Sequence, residues 1–148
     1  MQLSKLNNNI SGAFKYGFKK EKDYLTGNSK TVLIIDDEVI LIKICGMMLK
    51  LLGHKVFKAN SGSEGLNIFK AYKNRIDLVI CDMNMPEMDG QEVVDKLRKI
   101  DHNVKTLLSS GGLSDSEEKE VINRGVNGLI RKPYNTKTLS EKMAEILN

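Results

Sequence analysis

The stretch DLVICDMNMPEMDG, Asp77 to Gly90, decides the fold. Its first part, Leu78-Val79-Ile80-Cys81, has the length and composition of a strand buried on both faces of a parallel sheet, and it stops at a carboxylate, Asp82. Three further runs have the same form. Val32-Leu33-Ile34-Ile35 runs into Asp36-Asp37, Thr106-Leu107-Leu108 into Ser109-Ser110, and Leu129-Ile130-Arg131 into Lys132-Pro133. In open parallel sheets the functional crevice lies beyond the carboxyl ends of the strands. If the runs are parallel, three carboxylates, a hydroxyl and an ammonium converge on one edge. Such a set can hold a divalent cation, offer a nucleophile and neutralise a phosphoryl group.

Helical patterns fill the intervals. After Asp37, the residues Val39, Leu41, Ile42, Cys45, Met48, Leu49 and Leu52 give an apolar face, and Gly53 suits the position just past a helix end. Lys55–Lys58 is a short second strand. Ser61 and Glu64 have capping-box spacing at the head of a helix with Leu66, Phe69 and Tyr72. The third strand, Ile76–Cys81, leads through Asp82 and the loop Met83–Met88 to a helix opened by Asp89 and Glu92, with Val93, Val94, Leu97 and Ile100. A fourth strand, Lys105–Ser109, is followed by a flexible Ser110-Gly111-Gly112 loop. Asp115 or Ser116 caps a mostly polar helix that stops near Gly125. Gly128–Arg131 is the fifth strand, and Leu139, Met143, Ile146 and Leu147 mark the last helix. Five strand–helix units with right-handed crossovers put helices on both faces of a parallel sheet. The expected architecture is α/β, a flavodoxin-like doubly wound five-stranded parallel sheet of order 2-1-3-4-5. Its crevice falls between Asp36-Asp37 and Asp82.

The 148 residues suffice for one domain with a core and not for two ordinary ones. Nothing approaches the roughly 20 apolar residues of a membrane span, and residues 1–20 lack the apolar centre of a secretory signal. Cys45 and Cys81 make no metal or disulfide spacing. A reduced, cytoplasmic protein is the plain reading. The net charge of +4 sits wholly in residues 1–30, where six lysines face Glu21 and Asp23; the 17 later basic residues are matched by 17 acidic ones. A domain without net charge argues against nucleic-acid binding. In residues 1–30, Leu3, Leu6, Ile10, Phe14 and Phe18 recur at three- and four-residue spacing between lysines, as in a basic amphipathic helix on a membrane or partner. Asn7-Asn8-Asn9, Gly12 and Gly17 oppose a stable helix. The segment is expected to be a basic, mobile or loosely docked extension, with the domain proper at 31–148.

The chemistry follows from residue type. Adjacent acids at a strand end repel one another without a cation, and three carboxylates with water suit Mg²⁺. Asp82, at the rim of an apolar strand, can be a nucleophile toward phosphorus. Phosphoryl transfer then needs positioning and charge neutralisation, which Mg²⁺, Lys132 and the Ser110 hydroxyl would supply. A cis Lys132–Pro133 bond, affordable only before proline, would aim the ammonium back across the sheet edge. Strand alternation directs only one of Ser109 and Ser110 toward Asp82. It also turns Cys81 away from Asp82 into the core, where Cys45 belongs too. His54 and His102 lie in turns outside the constellation, and Met83, Met85 and Met88 close the loop above it.

The segments VLIIDDE, DLVICDMNMPEMDG, TLLSSGG and GLIRKPY resemble the four signatures of the bacterial response-regulator receiver family, the CheY-like superfamily, across about Thr31 to Asn148. The resemblance implies a stand-alone phosphoacceptor switch of a two-component or phosphorelay system rather than an enzyme, one that assists its own phosphorylation and dephosphorylation. By it, Asp82 takes a phosphoryl group from a histidine kinase or histidine phosphotransfer protein. Mg²⁺ is held by Asp36, Asp37, Asp82 and the backbone carbonyl of Asn84. Ser110 is the switch hydroxyl by register, Lys132 the charge partner, and Pro86 and Gly90 shape the loop. A downstream partner protein would bind the face of the fourth helix and fifth strand. The pattern departs at Leu129, where receivers often carry an aromatic residue, and at Gly111, where alanine is common. Two other readings are a pseudo-receiver that binds without phosphorylation and a phosphohydrolase of the haloacid-dehalogenase type. The latter expects an acid two residues after the nucleophile, where Asn84 stands.

Overall fold

The computed structural model describes residues 29–148. The expected extension, Ser29 and Lys30 apart, lies outside the described residues. The strands are β1 (Thr31–Ile35), β2 (Lys55–Ala59), β3 (Leu78–Asp82), β4 (Thr106–Ser110) and β5 (Gly128–Arg131). The helices are α1 (Val39–Leu51), α2 (Gly62–Tyr72), α3 (Gly90–Ile100), α4 (Asp115–Asn123) and α5 (Thr136–Leu147). The sheet is parallel throughout, in the order β2-β1-β3-β4-β5. This is the flavodoxin-like arrangement read from the sequence.

Strand alternation divides the core into two layers. Leu33, Ile35, Val79, Cys81 and Leu108 face one side and pack with Leu66 and Phe69 of α2 and Val93, Val94 and Leu97 of α3. Val32, Ile34, Leu78, Ile80, Leu107 and Ile130 face the other and pack with Ile42, Cys45 and Leu49 of α1 and Leu139 and Met143 of α5. Both cysteines are buried and free. Each fully buried aliphatic side chain contributes about 1.5–3 kcal/mol, so the two layers carry the fold.

Local chemistry sets the helix ends. α1 stops in a Schellman motif: Gly53 has φ +85°, its N–H donates to the Lys50 carbonyl, and the His54 N–H donates to that of Leu49. The Ser61 hydroxyl accepts the Glu64 N–H at 3.1 Å, and Asp89 accepts the Glu92 N–H at 2.9 Å. α2 lies close on the sheet because residue 65 is glycine; a Cβ there would stand 2.3 Å from Cδ1 of Ile35.

Strand bounds shift by a residue or two, with Asp82 inside β3 rather than after it, and two further details differ from the sequence reading. The cap of α4 is Ser114, in a full capping box with Glu117, rather than Asp115 or Ser116. Ser110 belongs to β4, because its carbonyl accepts the Lys132 N–H at 2.8 Å across the sheet.

Candidate functional site

Asp36 follows β1 and Asp82 ends β3, and these neighbouring strands bring both buried carboxylates to one edge. Asp36 is fixed by its own turn: its Oδ1 accepts the Glu38 N–H at 2.9 Å. Asp37 sits beside them, exposed, and oxygens of all three carboxylates lie within 4.8 Å of one another. Lys132 reaches over from the end of β5, past β4. Its Nζ donates to Oδ1 of Asp82 at 3.0 Å and to Oδ2 of Asp36 at 3.2 Å. The Lys132–Pro133 bond is cis.

Burial raises the Asp82 pKa above the ordinary carboxylate range, and the Lys132 ammonium opposes the rise without cancelling it. Burial alone would lower the Lys132 pKa, but the hydrogen bond to Asp82 and the charges of Asp36 and Asp82 outweigh it, so the ammonium is held protonated more firmly. One ammonium shared by two carboxylates, with a third nearby, leaves the group formally short of positive charge. The donors are hard oxygens, one exposed and two buried, and this set fits Mg²⁺, which keeps several waters and takes one or two carboxylates.

The loop after Asp82 is pinned in place. The Met83 N–H donates to the Ser109 carbonyl, and the Gly90 N–H donates back to that of Met83. Gly90 lies against the backbone of the site, where a Cβ would stand 2.5 Å from the Asp82 carbonyl oxygen. Glu87 has φ +66°, and the Met88 N–H closes on the Pro86 carbonyl around it at 2.7 Å. This is a three-residue turn with its central residue in the left-handed region, a costly conformation for a side chain to hold. Asn84 is exposed at the start of this loop.

The two serines part company. Ser109 pairs with Asp82 in register, on the face of Leu107, and lines a cavity of about 340 Å³ with Lys132, Cys45 and Tyr134. Ser110, on the opposite face, accepts the Gly112 N–H on its hydroxyl at 3.2 Å. Neither hydroxyl bonds Asp82. Sequence reasoning gave no role to Tyr134, which lines that cavity behind Lys132, nor to Glu38, whose amide orients Asp36. The Asp36–Glu38 spacing of an Asx turn was the available signal for the second. His54 and His102 lie away from the site, as expected.

Residues 32–144 match the family described as response regulator receiver domain. Chemotaxis protein CheY of Treponema pallidum is 32% identical over 117 residues, which cover 78% of this chain and 81% of that protein. Sensor kinase CckA of Brucella abortus is 32% identical over 130 residues, but this chain spans only 14% of its length. Among solved structures, chemotaxis protein CheY4 of Vibrio cholerae matches with a TM-score of 0.74 at 29% identity, covering 81% of this chain and all of that one. A CheX–CheY–BeF3–Mg²⁺ complex from Borrelia burgdorferi matches with a TM-score of 0.74 at 26% identity, covering 78% and 87%. The fold, the acid cluster bridged by Lys132 and the match across both halves of the sheet agree: the chain belongs to the response regulator receiver domain family, the CheY-like signalling switches of two-component systems.

Proposed function

We propose that this receiver is a phosphoacceptor switch. A histidine kinase or histidine phosphotransfer protein delivers a phosphoryl group to Asp82, and the change alters which partner protein binds. The observation that carries the reading is the Lys132 ammonium held 3.0 Å from Asp82 and 3.2 Å from Asp36 within a cluster of three carboxylates. A pseudo-receiver has no need of a charge balance around its acid, whereas phosphoryl transfer depends on one.

In the step proposed, an Oδ of Asp82 attacks phosphorus, the bond from phosphorus to the donor imidazole nitrogen breaks, and the leaving nitrogen keeps the electron pair. Lys132 keeps its proton, released from Asp82 to bind a phosphoryl oxygen as a point charge. Asp36, Asp37, Asp82 and the Asn84 carbonyl would hold Mg²⁺, which when bound supplies charge neutralisation at the phosphoryl oxygens. The Borrelia relative, solved with BeF3 and Mg²⁺, supports that assignment. Ser110 donates its hydroxyl proton to a further oxygen, and turning its Oγ toward that oxygen releases the Gly112 N–H it accepts, loosening the loop from β4 to α4. Ser109, aligned with Asp82 and facing the Lys132 cavity, is the second reading for that hydroxyl. The downstream partner would use the hollow of about 1020 Å³ between α4, β5 and α5, where Ile122 is exposed and Leu129 and Tyr134 line the wall. The hydrolase reading is weaker, because Asn84 and not an acid follows the nucleophile.

Incubation with a small phosphodonor, with and without Mg²⁺, followed by intact mass, tests the proposal. One phosphoryl group is expected, dependent on Mg²⁺ and absent from Asp82→Asn. An unchanged mass in both conditions refutes the switch, and a phosphoryl group that survives Asp82→Asn moves the site. Ser110→Ala and Ser109→Ala, compared for rate, separate the two hydroxyls. Steady turnover of phosphate esters would favour the hydrolase.

A further inference from the structure

In a domain whose charges balance, cations gather at one place, across the sheet from the acid cluster. α3 begins at Gly90, against the Asp82 backbone, and runs eleven residues to Ile100, about 16 Å away. Where it ends, a hollow of about 270 Å³ opens between the C-terminal ends of α3 and α4, lined by Asp95, Arg98, Lys99, His102 and Arg124. Three cations face a single carboxylate there.

That carboxylate is engaged on both oxygens. Oδ1 of Asp95 accepts an N–H of the Gln91 side chain at 3.0 Å, and Oδ2 accepts one from Arg124 at 2.9 Å. Gln91 is buried, and while its amide nitrogen holds Asp95 its own Oε1 has no partner. An orphaned buried acceptor is destabilising, so the fold keeps this hold on Arg124 against a local loss. Arg98 is fixed as well. Its Nη1 donates to the Arg124 carbonyl at 3.1 Å, and its guanidinium lies on Gly125, in the space a Cβ would fill. With φ +102°, residue 125 is glycine for two reasons. Each guanidinium has five N–H donors, and one on each is bonded within the described residues.

Helix ends account for part of the cluster. A helix C-terminus carries about half a negative charge and favours a cation beside it. Two such ends and Asp95 offset about two of the three positive charges, which leaves one unanswered. Arg98, Lys99 and His102 form no ion pair among the described residues. Asp101, next to His102, is taken by its own turn, where Oδ1 accepts the Asn103 N–H at 2.9 Å.

The donors select the ligand. Planar guanidinium forks bind phosphate oxygens two at a time, and a lysine adds a point charge. The volume falls below the roughly 300–1,000 Å³ of pockets that enclose a whole drug-sized molecule, so the hollow seats a charged group and leaves the rest in solvent. Nucleic acid asks for a basic stripe along the domain, and the 17 basic residues after position 30 are matched by 17 acidic ones. We propose that this hollow takes the phosphate or diphosphate group of a small molecule, bridging Arg98 and Lys99 of α3 to Arg124 of α4. The inference does not rest on the phosphoacceptor reading.

The probes are inorganic pyrophosphate and ADP. Each is titrated into the full chain at constant ionic strength and without divalent cation, so that neither is held at the acid cluster. Amide signals of Arg98, Lys99, His102, Arg124 and Gly125 in proton–nitrogen correlation spectra should move together and saturate. Saturation by pyrophosphate alone upholds the proposal with a free anion as ligand, and tighter binding of ADP upholds it with a nucleotide. Lys99→Gln and Arg124→Gln should each weaken binding about tenfold, as for one charge-assisted hydrogen bond. Lys99 is exposed, so Lys99→Gln should melt as the native chain does. Lys137→Gln, on exposed α5 surface, should leave the affinity unchanged. No saturable shift up to about 10 mM, full affinity in both Lys99→Gln and Arg124→Gln, or equal weakening by Lys137→Gln would overturn the proposal. Tighter binding of a glutamate-rich peptide or of duplex DNA would assign the cations to another partner and overturn it equally.

Discussion

Replacing Lys132 by methionine removes one positive charge and keeps the length of the side chain. In the native site Nζ lies 3.0 Å from Asp82 and 3.2 Å from Asp36, both buried, with Asp37 inside the same 4.8 Å cluster. Without the ammonium, three carboxylates face one another across about 5 Å, where each like-charge pair costs about 3 kcal/mol at an effective dielectric of about 20. Part of this is relieved by water and by proton uptake, since one edge of the site is open. A net destabilisation of about 1–3 kcal/mol in the absence of divalent cation is the working figure. The sign reverses for metal. A dication at about 5 Å from a removed positive charge gains about 2 kcal/mol even at water's dielectric, so the variant should bind Mg²⁺ at least about tenfold more tightly. By mass action, saturating Mg²⁺ then stabilises the variant by about 1.4 kcal/mol more than the native chain. The assay is thermal unfolding followed by circular dichroism, with EDTA and across a Mg²⁺ titration. Lys132→Met should melt lower than native in EDTA, and the gap should narrow as Mg²⁺ rises. A Mg²⁺-induced shift equal to or smaller than the native one would refute the charge argument, and with it the assignment of the three acids to a cation.

Gly90→Ala should cost about 1–3 kcal/mol, because the new methyl meets the Asp82 carbonyl oxygen at 2.5 Å and backbone cannot yield. Gly111→Ala, with nothing within 4 Å, should be neutral or slightly stabilising, and equal melting of the two variants in urea would discard the packing argument. His54 should titrate below 6.5, since burial and the Lys30 charge disfavour its protonated form. Its folded pKa is the lower one, so the contribution to stability is full above about 6.5 and is lost as pH falls through the folded value. A proton-NMR midpoint at or above 6.5 contradicts this. Burial, with Asp82 and Asp36 acting in the same direction, pushes the Cys81 thiol far above its ordinary range, so it should resist alkylation until the chain unfolds. Rapid labelling of Cys81 in the native state is the refuting result.

What the sequence made legible followed physical locality. The strands were readable because four-residue apolar runs between helical stretches have few other homes, and the order 2-1-3-4-5 followed from the family pattern and crossover handedness. Asp36, Asp82 and Lys132 were readable because each terminates such a run. The cap of α4 was not. Ser114, Asp115 and Ser116 are all competent, and both Ser114–Glu117 and Asp115–Glu118 have box spacing, so only the turn of the chain after Gly112 selects Ser114. The extent of β4 was hidden for a related reason, since the bond that makes Ser110 a strand residue comes from Lys132, 22 residues on. α1 exposes Ile40, Ile44, Met47 and Leu51, which stood in the sequence as ordinary apolar residues. Only the position of the core reveals that they point away from it.

The departure at Leu129 bears on how a signal could leave the site. Asp82 pairs with Ser109, Ser110 pairs with Arg131, and Arg131 donates to Glu118 of α4 at 2.8 Å and 3.1 Å. A continuous line of contacts therefore joins the acid cluster to α4 without an aromatic side chain. Contiguity alone is not coupling; that requires an element with two arrangements which the state of Asp82 biases. α4 is the element best suited. Val121 is its one buried residue, against five in α3, and its tie to β5 is an exposed ion pair worth about 0–1 kcal/mol. A helix so lightly held shifts at small cost. The Ser110 hydroxyl accepts the Gly112 N–H in the loop that leads into α4, and it needs only to release that donor for the loop to move. In this chain the backbone of β4 and the weak footing of α4 offer a route from Asp82 to α4 that needs no aromatic side chain.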